Sequence, residues 1–251
     1  MGSSGGAIRW FGSDGIILNS MFTNNIAINW GGAVQYYYNA HNCLISNSTF
    51  IGNTVNANGG GGVSSWAQNT HIIGSKFINN TSKGNNGGGG ANLDNGNAII
   101  LDSIFIGNYA HHGGGITVGI NSNLSNSIFT NNSCSAGGGG IYFYGNNCIL
   151  TGSTFINNIA KGKGGAIYLD AIVSIVNCKF INSKWINSNS NSNGIFTSQN
   201  LNINGGKGIV DLVAQRTISG ISVVVLNNET YYYPPNTNIN FTNKKQLNTN
   251  S

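Results

Sequence analysis

Six carboxylates are available for chemistry in 251 residues: Asp14, Asp94, Asp102, Asp170, Asp211 and Glu229. Glycoside hydrolysis by paired carboxyl groups requires two of them about 5–9.5 Å apart. Asp94 and Asp170 fall on one face once the chain is divided into its repeats. They are three repeats apart, however, roughly 14 Å at strand spacing. Asp102 takes a turn position where Asn usually stands. Calcium-assisted lyase chemistry lacks an acidic cluster and a placed arginine, since Arg9 and Arg216 lie at opposite ends. His111-His112 have no acidic neighbour in sequence and read as a solvated pair in a variable loop. The glycine runs Gly59–Gly62 and Gly87–Gly90 never continue into Gly-Lys-Ser/Thr, so they are turn glycines rather than a phosphate cradle. No catalytic residue, metal ligand or cofactor is expected.

What positions these residues is a short recurring unit, seen best in Gly152-Ser153-Thr154-Phe155-Ile156-Asn157-Asn158. Its Phe recurs at 22, 50, 77, 105, 129, 155 and 180, at spacings of 24 to 28. Periods of this size mark solenoids and propellers. Two residues before each Phe stand Ser20, Ser48, Ser75, Ser103, Ser127, Ser153 and Cys178, small enough for an inward stack. One residue earlier, Asn19, Asn47, Gly74, Asp102, Asn126, Gly152 and Asn177 are types that tolerate a left-handed turn. Five before the Phe, Ile or Leu is invariable across the copies. Three after it come Asn25, Asn53, Asn80, Asn108, Asn132 and Asn158, then Ser183, and stacked amides can bond from rung to rung.

A second landmark precedes each copy: Gly-Gly, a small residue, then usually a β-branched one, as in Gly31-Gly32-Ala33-Val34 and Gly164-Gly165-Ala166-Ile167. The pattern predicts three short strands per turn and no helix. That is an all-β, right-handed parallel β-helix of about seven regular coils plus a degenerate eighth, the hand following the crossover rule. Leucine-rich repeats need Leu-x-x-Leu-x-Leu, and a propeller blade needs about 40 residues, so neither fits. Residues 1–204 form the repeat domain, with an Asn/Ser-rich insertion at 184–193. Residues 205–251, with apolar segments at 209–213 and 218–226, form a C-terminal β cap or the truncated start of a second β domain.

If the residues after each Gly-Gly-small motif face inward, alternation sends a second set outward. Those are Arg9/Phe11, Gln35/Tyr37, Ser64/Trp66, Asn92/Asp94, Thr117/Gly119, Tyr142/Tyr144 and Tyr168/Asp170. Aromatic rings beside amides and carboxylates suit stacking on sugars. The candidate ligand-binding set is Phe11, Tyr37, Trp66, Asn92, Asp94, Tyr142, Tyr144, Tyr168 and Asp170. Aromatics also favour exposed β surfaces and pack on one another without any ligand.

Only 7% of residues are charged and the net charge of +5 is scattered, which argues against a nucleic-acid surface. No stretch approaches the roughly 18 apolar residues of a membrane span. Cys43 and Cys148 occupy one column but four copies apart, roughly 19 Å, beyond disulfide reach. Buried free thiols are expected. The chain enters its first Gly-Gly motif with neither a signal peptide nor a cap, so it reads as a fragment of a longer protein.

Gly-Gly-Ala-Ile alternating with Phe-x-x-Asn over residues 5–183 resembles the repeats of chlamydial polymorphic outer-membrane proteins. The Asn/Ile/Tyr-rich form is similar to adhesin-like surface proteins of methanogenic archaea, and both resemble the pectin-lyase-like β-helix. The resemblance implies a non-catalytic adhesin segment at the cell surface, contacting glycans or surface proteins of other cells. A polysaccharide lyase or hydrolase, or a purely structural spacer, is the alternative. The autotransporter barrel of the chlamydial family has no counterpart in this sequence.

Overall fold

The computed structural model describes residues 3–181 and 183 in full, and beyond them only the backbone of several strands. Among the described residues there is no helix. The chain winds into a parallel β-solenoid of about seven turns. Each turn contributes one strand to each of four sheets, so a coil has four strands rather than the three expected. The first sheet starts with Ile8–Trp10, Val34–Tyr36 and Val63–Ser65, the second with Ile16–Leu18 and Leu44–Ser46, and the third with Met21–Thr23 and Thr49–Ile51. The unexpected fourth holds short strands such as Ile26–Ala27, Thr54–Val55 and Ile159–Ala160. It escaped the sequence pattern because two residues show no alternation. Its signal is a small buried residue five after the first six Phe of the repeat: Ala27, Val55, Ser82, Ala110, Cys134 and Ala160.

The pairing register places like on like. Phe50 pairs with Phe22 and Phe77, and Ile72 with Ile45 and Ile100. Successive Phe rings therefore stack 4.8–5.0 Å apart at angles of 4–13°, from Phe22 to Phe180. The strand spacing sets that distance. Burying each such ring contributes about 1.5–3 kcal/mol. The small residue after Gly-Gly lies against this stack. A Cβ added at Gly62 would meet Phe77 Cδ1 at 3.1 Å, and one at Gly140 would meet Phe155 Cδ1 at 3.0 Å. The two sequence landmarks thus converge in the core. The second glycine of the pair is needed for a different reason: a Cβ on Gly32 would sit 1.9 Å from the Gly61 carbonyl oxygen of the next coil.

The polar columns form as expected. Asn53, Asn80 and Asn108 each donate an amide N–H to the next Asn Oδ1 at 2.9–3.0 Å. The same amides also donate to Phe22, Phe50 and Phe77 carbonyls of the preceding coil at 2.9–3.0 Å. In the last described step Asn158 N–H donates to Ser183 Oγ at 3.3 Å. The turn residues Asn19, Asn47, Asp102, Asn126 and Asn177 all have φ between 47° and 53°, the left-handed region. Cys43, Cys134, Cys148 and Cys178 are buried free thiols.

Toward the C-terminus, Ile195–Thr197 and Leu201–Asn204 extend the first and second sheets as an eighth coil. Within the expected insertion at 184–193, Lys184–Asn187 continues the fourth sheet parallel to Ile159–Ala160, and Ser190–Asn193 pairs antiparallel with it. Ser222–Leu226 pairs antiparallel with Glu229–Tyr233 and Asn248–Asn250. The apolar segment 209–213 lies outside the described residues.

Candidate functional site

The outward side of the first sheet divides into two parts. Toward the N-terminus is an aromatic cluster. The Phe11 and Tyr37 rings lie 5.1 Å apart, Tyr37 and Trp66 5.4 Å, and Trp66 meets Trp30 edge-on at 4.6 Å. The Arg9 guanidinium sits over Phe11 and Tyr37 at 4.8 and 5.2 Å, a cation–π arrangement. Phe11 is exposed, whereas Tyr37 and Trp66 are half-buried by this packing.

Further along, the strand pairings place Asn92, Thr117, Tyr142 and Tyr168 in one outward column. Asp94, Gly119, Tyr144 and Asp170 follow as the next. Here a cleft of about 370 Å³ opens, lined by Trp30, Asn86, Gly87, Asn92, Asp94, His112, Thr117, Tyr142 and Tyr144. Its floor is one hydrogen-bonded chain. Thr117 Oγ1 donates to Asn92 Oδ1, and Asn92 Nδ2 donates to Asp94 Oδ2 at 2.8 Å. The Tyr144 hydroxyl donates to Asp94 Oδ1 at 2.8 Å, and the Trp66 side chain also hydrogen-bonds the carboxyl. Burial pushes the Asp94 carboxyl above its ordinary range, and these donors oppose the shift. A carboxylate committed to three donors orients its neighbours. It is poorly placed to shuttle a proton.

His112 supplies one wall. It closes the strand Tyr109–His112, half-buried, and its ring stacks on Tyr142 at 4.8 Å and 29°. Tyr142 in turn stacks on Tyr168 at 5.0 Å and 9°. The pair His111-His112 is therefore part of a strand, not the solvated loop the sequence suggested. His111 Nδ1 hydrogen-bonds Ser135 Oγ at 2.8 Å. Burial first, then the neighbouring His111, lowers the His112 pKa to about 4, against an opposing pull from Asp170. Asp170, 58 residues away in sequence, is thus close enough in space to act on His112. Burial and then Asp170 push Tyr142 up to about 12.

Of the nine expected residues, the cleft collects Asn92, Asp94, Tyr142 and Tyr144. Tyr168 and Asp170 flank it, and Phe11, Tyr37 and Trp66 form the separate aromatic cluster. The expectation that every alternate residue faces solvent is corrected. Gln35 and Ser64 are wholly buried, and Asn92 and Thr117 are 4% and 2% exposed. The side chain of Trp30, projecting from the Gly-Gly corner, covers part of the sheet face: its Cε3 and Ser64 Oγ both lie within 3.2 Å of where a Gly59 Cβ would stand. Trp30, Asn86, Gly87, His112 and Thr117 were missed as site residues, although Thr117 stood in the outward set. Trp30, Gly87 and His112 share a signal: each directly precedes a Gly-Gly pair.

The Asp94–Asp170 separation remains three rungs, roughly 14 Å at strand spacing, too far for a glycosidase pair.

Two segments, residues 126–144 and 152–170, match the Chlamydia polymorphic membrane protein repeat. Each begins at a left-handed turn residue, carries Phe-x-x-Asn and the following Gly-Gly motif, and ends on the outward column, at Tyr144 and Asp170. No curated protein and no solved structure matches the chain.

Proposed function

We propose that this chain is a segment of a non-catalytic, adhesin-like cell-surface protein whose first sheet holds neutral glycan chains. In this reading residues 1–204 form the recognition solenoid and 205–251 a C-terminal β cap or the truncated start of a second β domain. The repeat match supports the surface setting, since that repeat is named for a membrane-protein family. The observation that carries the ligand class is the cleft itself. The Trp30 and Tyr142 side chains bound a floor of amide, hydroxyl and carboxylate already aligned by Asn92, Asp94, Thr117 and Tyr144. Such preformed concave sites with few placed polar groups are the usual form of small-ligand sites. Neutral sugars are favoured over uronic or sialic acids because the lining contains Asp94 but neither Lys nor Arg.

Array binding of the chain to immobilised neutral and acidic glycans tests this reading. Retention on neutral glycans is expected, with loss when Tyr37, Trp66 and Tyr144 are together changed to Ala and circular dichroism shows the fold intact. Undiminished binding by that triple variant removes the aromatic cluster and Tyr144 as glycan contacts and contradicts this reading. Absence of any glycan binding by the wild-type chain points to a spacer instead.

A further inference from the structure

The cleft stops at Trp30, but the polar column of its floor continues beneath that side chain. Gln35 pairs with Ser64, and Ser64 with Asn92, on successive strands of the first sheet. Asn92 is satisfied by Thr117 and Asp94. Gln35 and Ser64 are 0% exposed, and both amide atoms of Gln35 and the hydroxyl of Ser64 have no hydrogen-bond partner. An unpaired buried polar group costs about 1–3 kcal/mol, and native structures rarely leave three side by side without a use.

Trp30 lies beside Ser64, the nearer of the two. A Cβ on Gly59 would meet Trp30 Cε3 at 3.1 Å and Ser64 Oγ at 3.2 Å, so indole and hydroxyl flank the same glycine. The backbone of Trp30 has φ 46°, a left-handed conformation that is costly for a bulky residue. Glycine fills the same position at 59, 87 and 137. A ring held by a strained backbone above unsatisfied polar atoms is a cover, rather than a piece of core.

We propose that Trp30 is the displaceable cover of a second saccharide subsite, floored by Gln35 and Ser64, which extends the cleft to accept a neutral chain of two or more sugar units. This inference rests on the glycan reading of the cleft. The Gln35 amide supplies both donor and acceptor, and the Ser64 hydroxyl either, which matches the alternating demands of neighbouring sugar hydroxyls. Two rungs separate Gln35 from Asn92, about 9–10 Å, the reach of a disaccharide rather than of one ring. Swung aside, the Trp30 indole stays beside Trp66 and offers its face to the added sugar.

Calorimetric titration with two ladders, glucose to cellotetraose and N-acetylglucosamine to its tetramer, tests the subsite. In at least one ladder, affinity rises about tenfold or more from monosaccharide to trisaccharide, a difference of about 1.4 kcal/mol. Gln35→Met and Ser64→Ala each lower trisaccharide affinity about fivefold, and both leave monosaccharide affinity unchanged. Thermal melting confirms that each variant is folded, and either one suffices if the other is not. Equal affinity for mono- and trisaccharide, or variants with wild-type trisaccharide affinity, overturns the subsite and leaves the cleft standing. Failure of every sugar in both ladders to bind overturns the cleft reading and the subsite together.

Discussion

The Tyr144 hydroxyl reaches back two coils to Asp94, donating to Oδ1 at 2.8 Å with the Asp94 main-chain oxygen 3.0 Å away. The residue between them in the column is Gly119, and a Cβ there would stand 2.4 Å from that same oxygen. The missing side chain is what lets a tyrosine cross a rung. Tyr144→Phe is expected to destabilise the fold by about 1 kcal/mol through the lost hydrogen bond. Gly119→Ala is expected to cost about 1–3 kcal/mol by overpacking. Urea unfolding of both variants measures the order, and a Gly119→Ala chain as stable as wild type would contradict this account.

Removing one link of the Asn column has a cost that depends on its place. Asn108→Ala strips the acceptor from the Asn80 amide and main-chain N–H, and the donor from the Phe77 carbonyl. With buried groups orphaned on both sides, a loss of about 3 kcal/mol or more is expected. Asn25→Ala, on the half-buried first coil, removes only the Nδ2 donation to Asn53 Oδ1, which keeps the main-chain N–H of residue 25, and should cost about 1 kcal/mol or less. Equal costs in chemical denaturation would mean that the column does not act as a chain of bonds.

The Phe stack makes a parallel prediction. Phe105→Ala opens a cavity between Phe77 and Phe129 and is expected to cost about 3–5 kcal/mol. Phe22→Ala, at a partly exposed end ring, should cost clearly less. Thermal unfolding of the two variants gives the comparison.

Acid should weaken the fold through His112. Its pKa falls from an ordinary 6.5 to about 4, so it stays neutral in the folded chain where the unfolded chain takes up a proton. Stability is therefore lost as pH drops from about 6.5 to about 4, the loss being complete below. Asp94 works in the opposite sense. Its raised pKa favours the folded state as pH falls toward the ordinary carboxylate value of 3.8. The difference between wild type and His112→Gln isolates the histidine: wild type should lose more melting temperature between pH 7 and 4. A constant difference across that range would sink the claim.

Much of the coil was legible in sequence because like residues stack on like. Columns such as Phe50–Phe77–Phe105 repeat at every turn, so each copy reports on the next. The left-handed turn at Asn47 and Asn126 was readable for the same reason. The fourth strand was not, because Thr54–Val55 is too short to show alternation. The cleft was read only in part. Asp94 and Tyr144 stand on a predictable face, but Trp30 and His112 come from a corner position that varies between copies and is glycine at 59, 87 and 137. A site made by exceptions to a repeat leaves no periodic trace. The burial of Gln35 and Ser64 was hidden likewise, since alternation alone places both on the outward side.

The Asn column also has a direction. From Asn53 to Asn132 each side-chain amide gives an N–H forward to the next Asn and another back to a Phe carbonyl. Its oxygen accepts from the Asn of the coil behind. Like a zip, such a row accepts a new tooth in one orientation alone. Duplicating or deleting a whole turn preserves every link, whereas a reversed turn would set oxygen against oxygen. Molecules built this way can change length by whole turns over generations, and their polarity from end to end is inherited with each one.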